Sequence, residues 1–90
     1  MSTAPPPAQI ASRLMFMSKE LRGEAERHKG TLHDQLCRAS RQLTYAYPKA
    51  FSPDPDQRAE ARAMVDGAVD YLVTVITHRT EHELAKGNLP

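Results

Sequence analysis

Two short stretches carry pairs of possible metal ligands at helical spacing. His78 and His82 lie four residues apart in HRTEH, and His33 and Cys37 lie four residues apart in HDQLC. Imidazole and thiolate are ligands that Zn²⁺ prefers, and a helix brings residues i and i+4 to the same face. Together the two pairs would make a complete tetrahedral set. Whether they form a site depends on whether the fold brings them together.

The sequence contains few residues in the patterns typical of catalytic sites. The chain has no Gly-rich phosphate loop and no histidine accompanied by an evident nucleophile and an orienting acid. His33 and Cys37 are the nearest approach, because one helical face would present them as base and thiol. We therefore predict that the protein is not an enzyme and has no cofactor.

Length and composition indicate one soluble domain. The 90 residues include 12 Lys plus Arg and 11 Asp plus Glu, which gives a net charge of +1. So small a net charge does not attract the whole molecule to nucleic acid or to a membrane surface. The only cysteine, Cys37, allows no intrachain disulfide, and the apolar tract 68–76 is far shorter than the roughly 20 residues of a membrane span. The start lacks the features of a signal peptide, so a cytoplasmic location is expected. Arginine outnumbers lysine and alanine is abundant, which favours a bacterial or phage gene.

The first part of the chain has the periodicity of a helix. After a proline-rich tail at 1–7, predicted to be disordered, apolar or small residues recur from Ile10 to Ala46 at the 3.6-residue period. This pattern predicts one long helix over 8–46. Gly30 weakens that helix, and Thr31 followed by Asp34 resembles a capping box, so a kink or a new helix near Gly30 is the alternative.

The second part of the chain also reads as a helix. Tyr47-Pro48 ends the first helix and a linker follows at 47–54. Asp54 as N-cap with Pro55 in the first turn starts a second helix over 55–86, where the apolar spacing is again helical. The β-prone run at 73–77 would have no partner strand. The fold class predicted is all-α, with 8–90 forming a single antiparallel helical hairpin.

A hairpin of two helices determines which residues face each other. It places Gly30 opposite Tyr71, so the glycine would make room for the ring. It also separates the His33–Cys37 pair from the His78–His82 pair by roughly 21 Å along the axis, at 1.5 Å per residue. A site within one chain is therefore excluded, and these side chains are expected to be solvated or packed. An intersubunit metal site is the remaining alternative.

The unequal lengths of the two helices predict an interface. Residues 8–16 would extend past the end of the second helix, leaving apolar side chains without cover. One interpretation is a homodimer or higher oligomer in a helical bundle, and the other is a groove on a different protein. The predicted interface residues are Ile10, Leu14, Met15, Phe16, Met17 and Leu21.

The turn of the hairpin gathers basic and aromatic side chains, a combination that binds phosphate and stacks on bases. Nearby acidic residues would instead pair with these cations on the helix surfaces. The candidate anion or nucleotide site comprises Arg38, Arg41, Tyr45, Lys49, Arg58 and Arg62.

These features favour a small non-enzymatic binding protein that engages and modulates or inhibits a protein partner through an apolar helix face. A nucleic-acid or nucleotide-binding regulator that uses the arginine cluster is the alternative.

Overall fold

The fold is all-α. A computed structural model describes residues 6–87, and within that range there are three α-helices and no strand. Helix α1 spans Pro7–Ala25, α2 spans Thr31–Ala46 and α3 spans Pro55–Gly87, with a 3₁₀ turn at Tyr47–Phe51 between α2 and α3. Most of the tail predicted at 1–7 lies outside the described residues, and Pro7 already forms part of α1.

The prediction of a single helix over 8–46 is wrong. α1 ends at Ala25, the chain turns through residues 26–30, and α2 folds back against α1. The apolar spacing continues across the break, and each of the two helices turns its own apolar stripe toward the common core. The two-helix hairpin is accordingly replaced by a bundle of three helices. Assembly of this bundle with a second copy of the chain stays a prediction.

Gly30 permits this turn through its backbone conformation. Its φ is 71°, in the left-handed region that glycine enters without the steric cost a Cβ brings. A Cβ at Gly30 would meet no atom within 4 Å, so the predicted role of making room for Tyr71 is wrong. The capping box is also absent: no side chain caps the start of α2.

A cluster of hydroxyl groups, buried at Ser18 and Ser40, joins α1 to α2. The Ser18 and Ser40 Oγ atoms are 2.8 Å apart, and Thr44 Oγ1 lies 3.0 Å from Ser18 Oγ. One consistent assignment has Thr44 donating to Ser18, Ser18 donating to Ser40, and Ser40 donating to the Ser18 carbonyl at 2.8 Å. Small side chains let the two helices approach closely, and the hydrogen bonds satisfy the polar groups that this contact buries.

Helix α3 begins at the proline that the sequence marks as its start. Asp54 Oδ1 accepts a hydrogen bond from the Asp56 amide at 2.9 Å, which satisfies a free donor of the first turn. The helix has 33 residues and spans about 50 Å. Ile10 near the start of α1 shares a groove with Arg62, and Glu24 near the end of α1 binds Arg79. These two contacts show that α3 runs parallel to α1. It is therefore antiparallel to α2, which folds back against α1.

The core lies between the three helices and includes most of the residues predicted to form an open interface. Ile10, Leu14, Met17 and Leu21 are at most 6% exposed, so that prediction is wrong for these four. They are covered because α1 packs on α2 as well as on α3. The buried hydrophobic residues are Ile10, Ala11, Leu14, Met17, Leu21, Ala25, Leu36, Leu43, Ala46, Ala50, Ala61, Val65, Leu72 and Val75.

Across residues 6–87, no helix combines the length and the apolar character needed to cross a membrane.

Candidate functional site

The bundle leaves an exposed apolar surface beside the junction of α1 and α3. Ile76 lines the groove between these helices together with Glu20 and Gly23 of α1. Val69 and Val73 precede Ile76 by seven and three residues, so helical geometry places them on the same side of α3. This side borders α1.

Phe16 of α1 adds to the same surface. It precedes Glu20 and Gly23 by four and seven residues, so it lies on their side of α1. Because α1 and α3 run parallel, Phe16 is level with α3 near residue 70. Its exposure is 61%, and those of Val69 and Val73 are 41% and 57%. We call Phe16, Val69, Val73 and Ile76 the α1/α3 apolar face.

Met15 is the sixth residue of the predicted interface. It is 43% exposed, but it lies one residue from Phe16 and therefore points about 100° away around the helix. Met15 is thus not part of the α1/α3 apolar face. Of the six predicted residues, only Phe16 belongs to it.

The predicted arginine site is not assembled. Arg38 and Arg41 are exposed on the outer face of α2. Tyr45 and Lys49 share a groove beside the first turns of α3. Arg58 and Arg62 instead line a groove on the α1 side of α3. The cluster is divided because α1, which the two-helix hairpin did not place beside α3, lies along that side.

Two of the predicted cations are also engaged with protein acceptors. Lys49 Nζ forms an ion pair with Glu60 Oε1 at 2.9 Å, and Arg58 Nη1 donates to the Ser52 carbonyl at 2.7 Å. The Lys49–Glu60 pair agrees with the alternative in which acidic neighbours pair with these cations, whereas the acceptor of Arg58 is an uncharged backbone carbonyl.

The two candidate metal-ligand pairs stay separate. His33 Nδ1 donates to the Ala25 carbonyl at 2.7 Å, which leaves Nε2 to face the Cys37 sulfur at 3.6 Å. His78 and His82 are exposed on α3. Among the described residues, no three His, Cys, Asp or Glu side chains come together in a way that could hold a metal ion. An intersubunit site stays an untested prediction.

An ion cluster around Glu24 holds the far end of the bundle together. This carboxylate is 5% exposed and accepts hydrogen bonds from Arg79 Nε at 2.7 Å and from His28 Nε2 at 2.8 Å. Burial raises the pKa of Glu24, but the hydrogen bonds and charges of Arg79 and His28 outweigh it and hold the pKa below its usual value. The same pairing raises the pKa of Arg79. Glu24 thus links α1, the 26–30 turn and α3.

A groove lies beyond this cluster, where α3 extends past the other two helices. It has a volume of about 620 Å³ and runs along α3 from Thr74 to Lys86, with Leu32 of α2 and Arg27 and His28 of the turn on its other side. We call it the end groove. His78 and His82, first considered as metal ligands, line it too.

Sequence reasoning identified Phe16 as an interface residue but missed the part of its face on α3 and the end groove. Val69, Val73 and Ile76 lie in the apolar run of the second helix, where Val73 breaks the pattern of a single buried stripe. That extra apolar position was the available signal for a second, exposed face on α3. The end groove requires the turn at 26–30, which the prediction of one long helix removes.

Comparison of the chain with models of protein families, with curated proteins and with solved structures finds no match.

Proposed function

We propose that this protein is a non-enzymatic binding protein that engages and modulates another protein through the α1/α3 apolar face. The observation that supports this is the exposure of four large hydrophobic side chains on two adjacent helices, which helical spacing turns toward the same junction. Isolated exposed hydrophobics are common on soluble domains, whereas a contiguous patch with a polar rim is typical of protein interaction sites.

The chemistry of the face suits a helix or a flat apolar surface on the target. Phe16 supplies a large ring with few rotatable bonds, and the β-branched Val69 and Val73 are restricted in their rotamers, so little side-chain entropy is lost on binding. The charged residues Glu20 and Asp66 flank the face and are exposed. The proposed mechanism is occupancy: the bound face blocks or reshapes the surface that the target uses.

The experiment compares two double variants that each replace two exposed hydrophobic residues with serine. Phe16→Ser/Val73→Ser removes the centre of the face, and Tyr45→Ser/Leu84→Ser changes side chains of similar exposure elsewhere. Tagged proteins are used to capture targets from a nuclease-treated lysate of the source organism. We expect the first variant to lose the captured protein and the second to retain it.

Light scattering on the purified proteins distinguishes a foreign target from a second copy. A dimer of the unmodified chain that becomes a monomer in Phe16→Ser/Val73→Ser would assign the face to self-association instead. Equal capture by both variants would contradict the proposal, since the face would then contribute nothing to recognition.

A further inference from the structure

We infer that the end groove binds a single-chain amphiphile with an anionic head group, such as the free monomer of a medium-chain carboxylate. This site is separate from the α1/α3 apolar face and does not rest on the function proposed for that face. The inference comes from the groove's size, its apolar floor and the sign of the charge around it.

The dimensions fit an extended alkyl chain. The volume of about 620 Å³ lies within the range of roughly 300 to 1,000 Å³ that is usual for small-molecule sites. From Thr74 to Lys86 the groove follows α3 for roughly 18 Å, at 1.5 Å per residue. A narrow chain can lie along this length without displacing any helix.

The floor of the groove is built from apolar side chains. Val75 is 8% exposed and Leu32 is half-buried, and both line the groove directly. The aliphatic stems of Arg79 and Lys86 extend this apolar surface along α3, as long cationic side chains commonly do. Each CH₂ group of an alkyl chain that is buried here contributes about 0.8 kcal/mol of favourable binding free energy, because it is removed from water.

The rim of the groove carries an excess of positive charge. Arg27 and Lys86 are exposed at its edge, and Arg27 has only a long contact of 3.7 Å with Glu24. Glu83 is the single carboxylate among the described groove-lining residues, and it lies 3.5 Å from Arg79. Arg79 is already paired with Glu24, so Arg27 and Lys86 are the cations available to an anionic head group.

A chain-length series tests the apolar part of the site. Calorimetric titration of the full chain with hexanoate, octanoate, decanoate and dodecanoate, each below its micelle concentration, should give saturable binding. Affinity should rise with each added CH₂, by at most about fourfold for complete burial, and level off when the groove is filled. Dodecyltrimethylammonium, which has the same tail and a cationic head, should bind at least tenfold more weakly.

Charge variants test the head-group part. Arg27→Glu/Lys86→Glu should weaken dodecanoate binding about tenfold or more, whereas Lys19→Glu/Arg22→Glu makes the same charge change on exposed sites of α1 outside the groove and should not. Phe16→Ser/Val73→Ser should bind dodecanoate like the unmodified chain. Circular dichroism verifies that every variant retains its helices.

Three results would overturn the inference. They are the absence of saturable binding up to the micelle limit, equal binding of the cationic amphiphile, and binding to vesicles of phosphatidylglycerol without binding of the monomeric carboxylates. The last outcome would assign the cations to a lipid surface.

Discussion

Among single residues, Glu24 is a buried carboxylate that binds cationic side chains from two other parts of the fold. A carboxylate that is 5% exposed would be costly in isolation, but Arg79 and His28 satisfy both its charge and its hydrogen bonds. Its lowered pKa means that the folded state binds a proton at this site less readily than the unfolded chain does. The contribution of Glu24 to stability is therefore complete above pH 4.5, the ordinary value, and is lost as the pH falls through the lowered pKa.

Glu24→Gln should lower the free energy of unfolding by about 2 kcal/mol near neutral pH, because it leaves Arg79 and His28 without the charged acceptor. The difference from the unmodified chain should shrink as the pH falls below about 4.5, because the unfolded chain then binds a proton at Glu24 that the folded state binds only at lower pH. Urea denaturation at several pH values measures this, with the exposed Glu20→Gln as control. A difference that stays constant down to pH 3 would contradict the assigned charge interaction.

At the level of elements, two glycines inside the same apolar register have opposite roles. Gly30 has a φ of 71° and forms the turn, whereas Gly23 lies within α1 with open space where a Cβ would be. Gly30→Ala should destabilise the protein by about 1 kcal/mol, because alanine is strained at positive φ. Gly23→Ala should stabilise it by about 1 kcal/mol, because alanine has the higher helix propensity. Thermal unfolding measures both changes in stability. If the two substitutions changed stability in the same direction, that result would contradict the position of the turn.

The helices themselves were largely predictable, and the break near Gly30 was foreseen only as the alternative to one long helix. The Asp54-Pro55 signal marks the first residue of α3 correctly, since caps act locally. Whether the helix breaks near Gly30 depends instead on whether packing α1 against α2 stabilises the chain more than continuing the helix does. The Ser18, Ser40 and Thr44 contact that favours packing joins positions 22 to 26 residues apart, so no local pattern reveals it.

At the scale of the whole molecule, the fold-back determines which surfaces stay open. The all-α class was correctly predicted, but the candidate sites depended on how the helices are paired. A three-helix bundle buries Leu14 and Leu21, separates Arg38 from Arg62, and exposes Val73. The molecule is also elongated: its radius of gyration of 15.7 Å exceeds the roughly 12 Å of a compact domain of this length, because α3 outreaches the other helices.

The most direct measurement of this fold is an engineered disulfide between α1 and α2. In a Cys37→Ser background, Ser18→Cys/Ser40→Cys should form an intrachain disulfide on mild oxidation, because the two Oγ atoms are 2.8 Å apart. The matched pair Ser12→Cys/Ser40→Cys, displaced by roughly 9 Å along α1, should remain reduced. In a continuous helix over 8–46, residues 18 and 40 would be roughly 33 Å apart. Mass spectrometry that finds a monomer with this disulfide supports the three-helix bundle, and free thiols or only interchain links would contradict it.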